Sequence, residues 1–221
     1  MSLDAVLKIG GSLNRGDCLE ALCDEVRRLG ESFHLMVVPG GGVFADEVRK
    51  AYKRFKLSGT AAHCMALSAM DQYGYVLNHL IAGSLLTPDL TTACRAAESG
   101  KVSILLPSTS VLQHSDLPHS WRVTSDTIAA WVAHRADCRR LILLKDVDGL
   151  LSAAPTNKEA ELVTELTVAQ LAVRSGGVDE YLSHFLATVR LETWVVNGLR
   201  PERLAELLEE DYTTGTRIWR S

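Results

Sequence analysis

"VLKIGGSLNRGD", residues 6–17, decides how this chain reads: an apolar run carries one lysine, Lys8, and passes at once into Gly10, Gly11 and Ser12. The run has the composition of a strand, and glycines at its end admit positive φ and let a ligand approach the main chain. Amides at a following helix start point toward an anion, and an ammonium just before them neutralises oxygens of the same group. Taken alone, the stretch fits equally well a tight turn after an edge strand with a surface lysine.

A second stretch, "MVVPGGGVFADEV" at residues 36–48, repeats the arrangement: a strand, then Gly40, Gly41 and Gly42, then a helical pattern. Two glycine turns after two strands can hold two anionic groups facing each other, as a phosphoryl donor and its acceptor require. Gly40, Gly42 and Ala45 also fit the GxGxxG/A spacing of dinucleotide binders. Residues 51–70 contain no Asp or Glu to hold a ribose hydroxyl, which argues against that reading.

Outward from these two stretches, short apolar runs at residues 5–9, 34–38, 102–106, 141–144 and 193–196 read as buried strands. Helical periodicity occupies 18–29, 43–55, 61–81, 127–134, 168–173, 181–189 and 202–208. This alternation predicts an α/β fold, a mainly parallel sheet covered by helices on both faces, with ligands beyond the carboxyl ends of the strands. The most loop-like segments are 112–121 and 152–159, the first of them either a lid or a plain surface connection.

The 221 residues suit a single domain or two closely merged ones, and 47% apolar composition is ample for a core. A formal charge of −4 argues against nucleic-acid binding, which needs clustered Lys and Arg. Five cysteines without a CxxC pair suggest neither disulfides nor a zinc site, and so a reducing cytoplasm. The opening residues lack a basic and apolar export leader, and no apolar run is long enough to span a membrane.

Two further clusters carry polar groups in apolar surroundings. In "WRVTSDTIAAWVA", residues 121–133, Thr124, Ser125 and Asp126 fall at a helix start; Asp126 reads as an N-cap, as a partner holding Lys8, or as a magnesium ligand. In "LILLKDVDGLL", residues 141–151, Lys145, Asp146, Asp148 and Gly149 are either turn residues or the edge of a nucleotide and metal environment. No histidine has metal-ligand spacing. His63 stands out because it opens the helix "HCMALSAMDQYG", residues 63–74, whose Asp71 is a candidate acceptor contact along with Gln72 and Tyr73.

In order along nearly the whole chain, KIGGSL, VVPGGGVFADEV, HCMALSAMDQYG, VTSDTIAAWVA, LLKDVDGL and TGTRI resemble the amino acid kinase family. The resemblance implies a three-layer α/β/α sandwich, one kinase domain with an acceptor part near residues 1–120 and a nucleotide part near 121–221, ATP with Mg2+, and a homo-oligomer, dimeric or hexameric, with the 61–81 helix as an interface. By the same resemblance Lys8, Gly10, Gly11 and Ser12 meet the donor phosphates. Gly40, Gly41 and Gly42 lie near acceptor and transferring phosphoryl, with Thr124 and Ser125 on the acceptor side. Asp126 orients the catalytic lysine, Lys145 to Gly149 form the nucleotide-side loop, and residues 213–218 close it. Within the family the segments are most similar to the branch that phosphorylates (aminomethyl)furan-methanol phosphate. One departure is that several members carry a lysine after a glycine-rich segment, whereas here Ser175, Gly176, Gly177 and Val178 lead to Tyr181; Lys145 or magnesium would then supply the missing charge.

Overall fold

The computed structural model describes residues 3–14, 18–153, 156–157, 160–174 and 176–220; Arg15 to Asp17, half of the 152–159 segment and Ser175 lie outside the described residues. Its main sheet has eight strands. In spatial order they are β3 (Leu85–Thr87), β4 (Ser103–Leu105), β2 (Leu35–Pro39), β1 (Ala5–Ile9), β5 (Arg140–Lys145), β9 (Glu192–Asn197), β10 (Gly215–Trp219) and β8 (Glu165–Thr167). All neighbours are parallel except β9 and β10. Leu150–Leu151 (β6) and Leu162–Val163 (β7) form a separate small hairpin.

β1 lies in the middle of the sheet, hydrogen-bonded to β2 on one side and β5 on the other, which removes the edge-strand reading of Lys8. Its alternation sorts side chains by face. Ala5, Leu7 and Ile9 join Leu35, Val37, Ile142, Leu144, Trp194 and Val196 against α1 (Cys18–Leu29) and α9 (Glu202–Glu210). Val6 joins Met36, Val38, Leu141, Leu143 and Val195 against α6 (Ser125–Arg135), α7 (Val168–Ala172) and α8 (Leu182–Leu186). The sheet is therefore the middle of three layers, and each fully buried Leu or Val contributes roughly 1.5–3 kcal/mol.

All five predicted strands, those at 5–9, 34–38, 102–106, 141–144 and 193–196, are found with bounds shifted by one residue at most, and the long helices α2 (Gly42–Phe55) and α3 (Gly59–Leu80) by a residue or two. The sequence reading passed over β3, α4 (Leu90–Glu98) and α5 (Pro107–His114). It also drew the 181–189 helix too long. Asp89 caps α4, accepting from the Thr92 amide at 2.7 Å, and Pro107 opens α5 at the position where its missing N–H costs nothing.

Candidate active site

The parity that packs β1 and β5 also builds the site. Lys8 shares its face with Val6, and Lys145 shares its face with Leu141 and Leu143, so both ammoniums leave the sheet toward α6. Asp126, in the first turn of that helix, receives them: Lys8 Nζ lies 2.9 Å from Oδ1 and Lys145 Nζ 2.7 Å from Oδ2. Lys8 is 5% exposed and Asp126 3%. Burial pushes the Asp126 carboxyl up, but the two ammoniums more than offset it and hold it well below the usual carboxylate range. Asp126 is thus not the helix cap that its position suggests; Thr124 is the cap residue, and it makes no capping bond with its own side chain.

Beside this cluster the two glycine turns touch. Gly10 and Gly40 spend their amides on the sheet, donating to the carbonyls of Leu144 and Ile9, each at 2.9 Å. Gly11 begins a short helical turn, Gly11–Asn14, and Gly42 begins α2 at φ +53°, so the first amides of both helical segments are without helical partners. A Cβ on Gly11 would stand 2.1 Å from the Gly42 Cα and nitrogen. Backbone cannot swing aside as a rotamer does. Gly11→Ala should therefore cost about 1–3 kcal/mol and displace one turn from the other; an unchanged urea midpoint together with full activity would show that the contact does not matter.

Next to Gly41 and the start of α6 opens a pocket. Ala45, Ala62 and Ala66 give it an apolar wall; Arg49, His63, Trp121, Thr124 and Ser125 supply polar groups, and among the described residues no carboxylate lines it. His63 stacks on His119 with ring centroids 4.5 Å apart, and the Arg49 guanidinium lies 5.3 Å from the centre of the Trp121 ring. Burial, with His119 beside it, pushes the His63 imidazole down, so it is neutral at pH 7. The 112–121 segment, read as a lid or a connection, splits: its start belongs to α5, and Trp121 forms a wall of the pocket.

The other candidates divide. Asp146 accepts from the Ser12 hydroxyl at 2.9 Å, joining the Lys8 turn to the end of β5. Asp148 is held by Asn197 at 2.7 Å and by Arg203 at 2.5 Å, which fixes the loop to β9 and α9. Gly149, at φ +149°, leaves space for the Thr216 hydroxyl, which accepts from the Leu150 amide and donates to the Val163 carbonyl; the C-terminal strand thereby closes the loop. Asp71 is turned away from the pocket, with both carboxylate oxygens on Ser108 at the start of α5. Tyr73 is buried in the core, and Gln72 is exposed. Sequence reasoning missed Asp179, Arg203 and Arg49.

Among the described residues no cluster of three or more His, Cys, Asp or Glu stands ready to hold a metal, and no helix is long and apolar enough to cross a membrane. A mainly parallel sheet whose central strands deliver two ammoniums to one carboxylate, beside two touching glycine turns, defines an α/β protein built to handle phosphate groups. More narrowly, the model of the amino acid kinase family matches residues 5–196, and the chain belongs to that family as a kinase. It is similar to the (5-(aminomethyl)furan-3-yl)methyl phosphate kinase of Methanocaldococcus jannaschii, at 32% identity over 216 residues and 96% of both chains. It is also similar to the uridylate kinase of Corynebacterium efficiens, at 29% identity over 194 residues, covering 77% of this chain and 75% of the other. The fold matches the crystal structure of uridylate kinase from Archaeoglobus fulgidus with a TM-score of 0.80 at 20% identity, over 98% of this chain and 100% of that one.

Proposed function

We propose that this kinase moves the γ-phosphoryl group of ATP onto the phosphate of a small acceptor, giving ADP and a diphosphate, and that the acceptor is (aminomethyl)furan-methanol phosphate. The observation that carries the reading is the contact between the two glycine turns under the Lys8–Asp126–Lys145 cluster. Two anions can face each other across it with both ammoniums at hand.

Phosphoryl transfer has a loose transition state, so positioning and charge neutralisation account for most of the catalysis. Lys8 and Lys145 neutralise charge on the transferring group, and the free amides of Gly11, Ser12, Gly41 and Gly42 bind its oxygens and the acceptor's. An acceptor phosphate is already largely ionised at neutral pH and needs no strong general base. The pocket fits that demand: its histidine is neutral, and among the described residues that line it the one formal charge is the Arg49 guanidinium. The small residues of its wall leave room for a flat ring.

Magnesium takes most of its ligands from phosphates and needs only one or two carboxylates from the protein. Asp126 already faces two lysines and one oxygen of Asp148 is taken by Asn197 and Arg203, so Asp146, beside Ser12 at the Lys8 turn, is the residue that would hold it. When bound, the ion would neutralise donor-phosphate charge. In this reading residues 1–120 carry most of the acceptor site and 121–221 most of the nucleotide site, with the start of α6 serving both.

A panel of phosphorylated acceptors incubated with ATP and Mg2+ tests the proposal, with ADP release and the diphosphate product as readouts. The furan-methanol phosphate should exceed uridylate by about 100-fold in kcat/KM, the range that a pocket's polar contacts can supply. Preference for uridylate would move the chain to the other branch, and ATP binding without turnover of any acceptor would make it a nucleotide-holding protein.

A further inference from the structure

Asp179 lies in the segment before α8, where the family resemblance leads one to expect a lysine nearby and this chain has none up to Tyr181. Its carboxylate is mostly buried and accepts five hydrogen bonds. Oδ2 takes the Thr124 amide and hydroxyl, both at 3.0 Å, and the Thr127 amide at 2.9 Å. Oδ1 takes the Thr127 hydroxyl and the Leu182 amide, the latter at 3.0 Å. One carboxylate therefore caps the starts of both α6 and α8. A second backbone bond, from the Tyr181 amide to the Arg122 carbonyl at 3.1 Å, ties the same two segments.

The main chain of Asp179 reaches the cluster itself. Its amide donates to Asp126 Oδ2 at 3.2 Å, the same oxygen that takes Lys145 at 2.7 Å. Asp126 Oδ1 meets Lys8 as a charge pair and has no hydrogen-bond partner of its own among the described residues. The orientation of the carboxylate that spaces the two ammoniums is thus set from one side by lysines and from the other by this segment.

We propose that Asp179 is a positioning residue: by locking its segment to the start of α6, it fixes the Asp126 carboxylate and so the placement of Lys8 and Lys145 on the transferring phosphoryl. The segment that elsewhere in the family contributes a cation works here as a clamp, and the second ammonium comes from the end of β5. The inference rests on the phosphoryl-transfer reading above. A shift of about 1 Å in a positioned group can cost on the order of 100-fold in rate. An amide at position 179 presents N–H groups to donors that need acceptors, so the clamp loosens.

The test compares the full-length protein with Asp179→Asn and with Thr127→Val, which removes one hydroxyl donor and keeps the shape. Thermal midpoint, kcat, acceptor KM and ATP affinity are measured well below the lowest midpoint. Asp179→Asn should lower kcat by about 10- to 100-fold with acceptor KM within about threefold, and Thr127→Val should fall in between. A lowered midpoint with kcat and ATP affinity unchanged would reduce Asp179 to a helix cap and overturn the proposal. If the wild-type protein turns over no acceptor, the phosphoryl-transfer reading fails separately, and ATP affinity decides: a loss of about tenfold or more in Asp179→Asn supports the clamp, and equal affinity overturns it. Should Asp179→Asn fail to fold, Thr127→Val alone decides by the same readouts.

Discussion

Replacing Lys8 by methionine should lower turnover by about 100- to 1000-fold while acceptor KM changes by no more than a few-fold, which is how the loss of a preorganised charge contact shows itself. The ammonium sits where charge moves during the reaction, so it acts mainly in the transition state, and its loss belongs in kcat. The fold should survive the change. Lys145 remains on Asp126, leaving the buried carboxylate with one counter-charge, and methionine fills the space between Val6 and the α6 layer. Thermal midpoints of both proteins, with separate saturation curves for ATP and acceptor, check this. A Lys8→Met protein with ordinary kcat would remove Lys8 from the mechanism.

How much of this was open to a reader of the sequence depends on how far each contact reaches. The strands at 5–9 and 141–144 declare themselves by local composition, and the glycine turns mark where each strand stops. The pairing of Lys8 with Asp126 is less local, yet it follows once β1 and β5 are neighbours, because parity alone then sends residues 8 and 145 to the face that α6 covers. Position 126 misled for a related reason: an aspartate at a helix start is usually its own cap, and here the cap is a carboxylate 55 residues away from Thr124. No local signal announces such a donor. Asp148 was ambiguous in the same way, since a DG turn looks alike whether its carboxylate is free or held by Asn197 and Arg203. By contrast, α4 and α5 were legible and overlooked, for Asp89 and Pro107 are ordinary helix-start signals. Arg49 gave only a charge on a helix, and it becomes a pocket residue because Trp121 lies under it.

Asp126→Asn should be the most destabilising single change in the site, costing about 3–5 kcal/mol at neutral pH, because it leaves two buried ammoniums on one uncharged amide. The loss has a pH signature. The native carboxyl titrates below its unfolded value of about 4, so the stability it contributes is fully present above pH 4 or so and disappears as pH falls through the folded value. The asparagine variant lacks that titration. Urea midpoints should therefore show a gap between the two proteins at neutral pH that narrows as pH falls below about 4, over whatever range both stay folded. Were the gap to widen on acidification, or to be absent at pH 7, Asp126 would not be the charged hinge between Lys8 and Lys145. Activity adds an independent check, since the amide can still hydrogen-bond an ammonium but cannot neutralise it. The variant should thus lose turnover even at temperatures where it is fully folded, by an amount comparable to that of Lys8→Met, because both changes undo the same arrangement of charge and their effects should not add in the double variant.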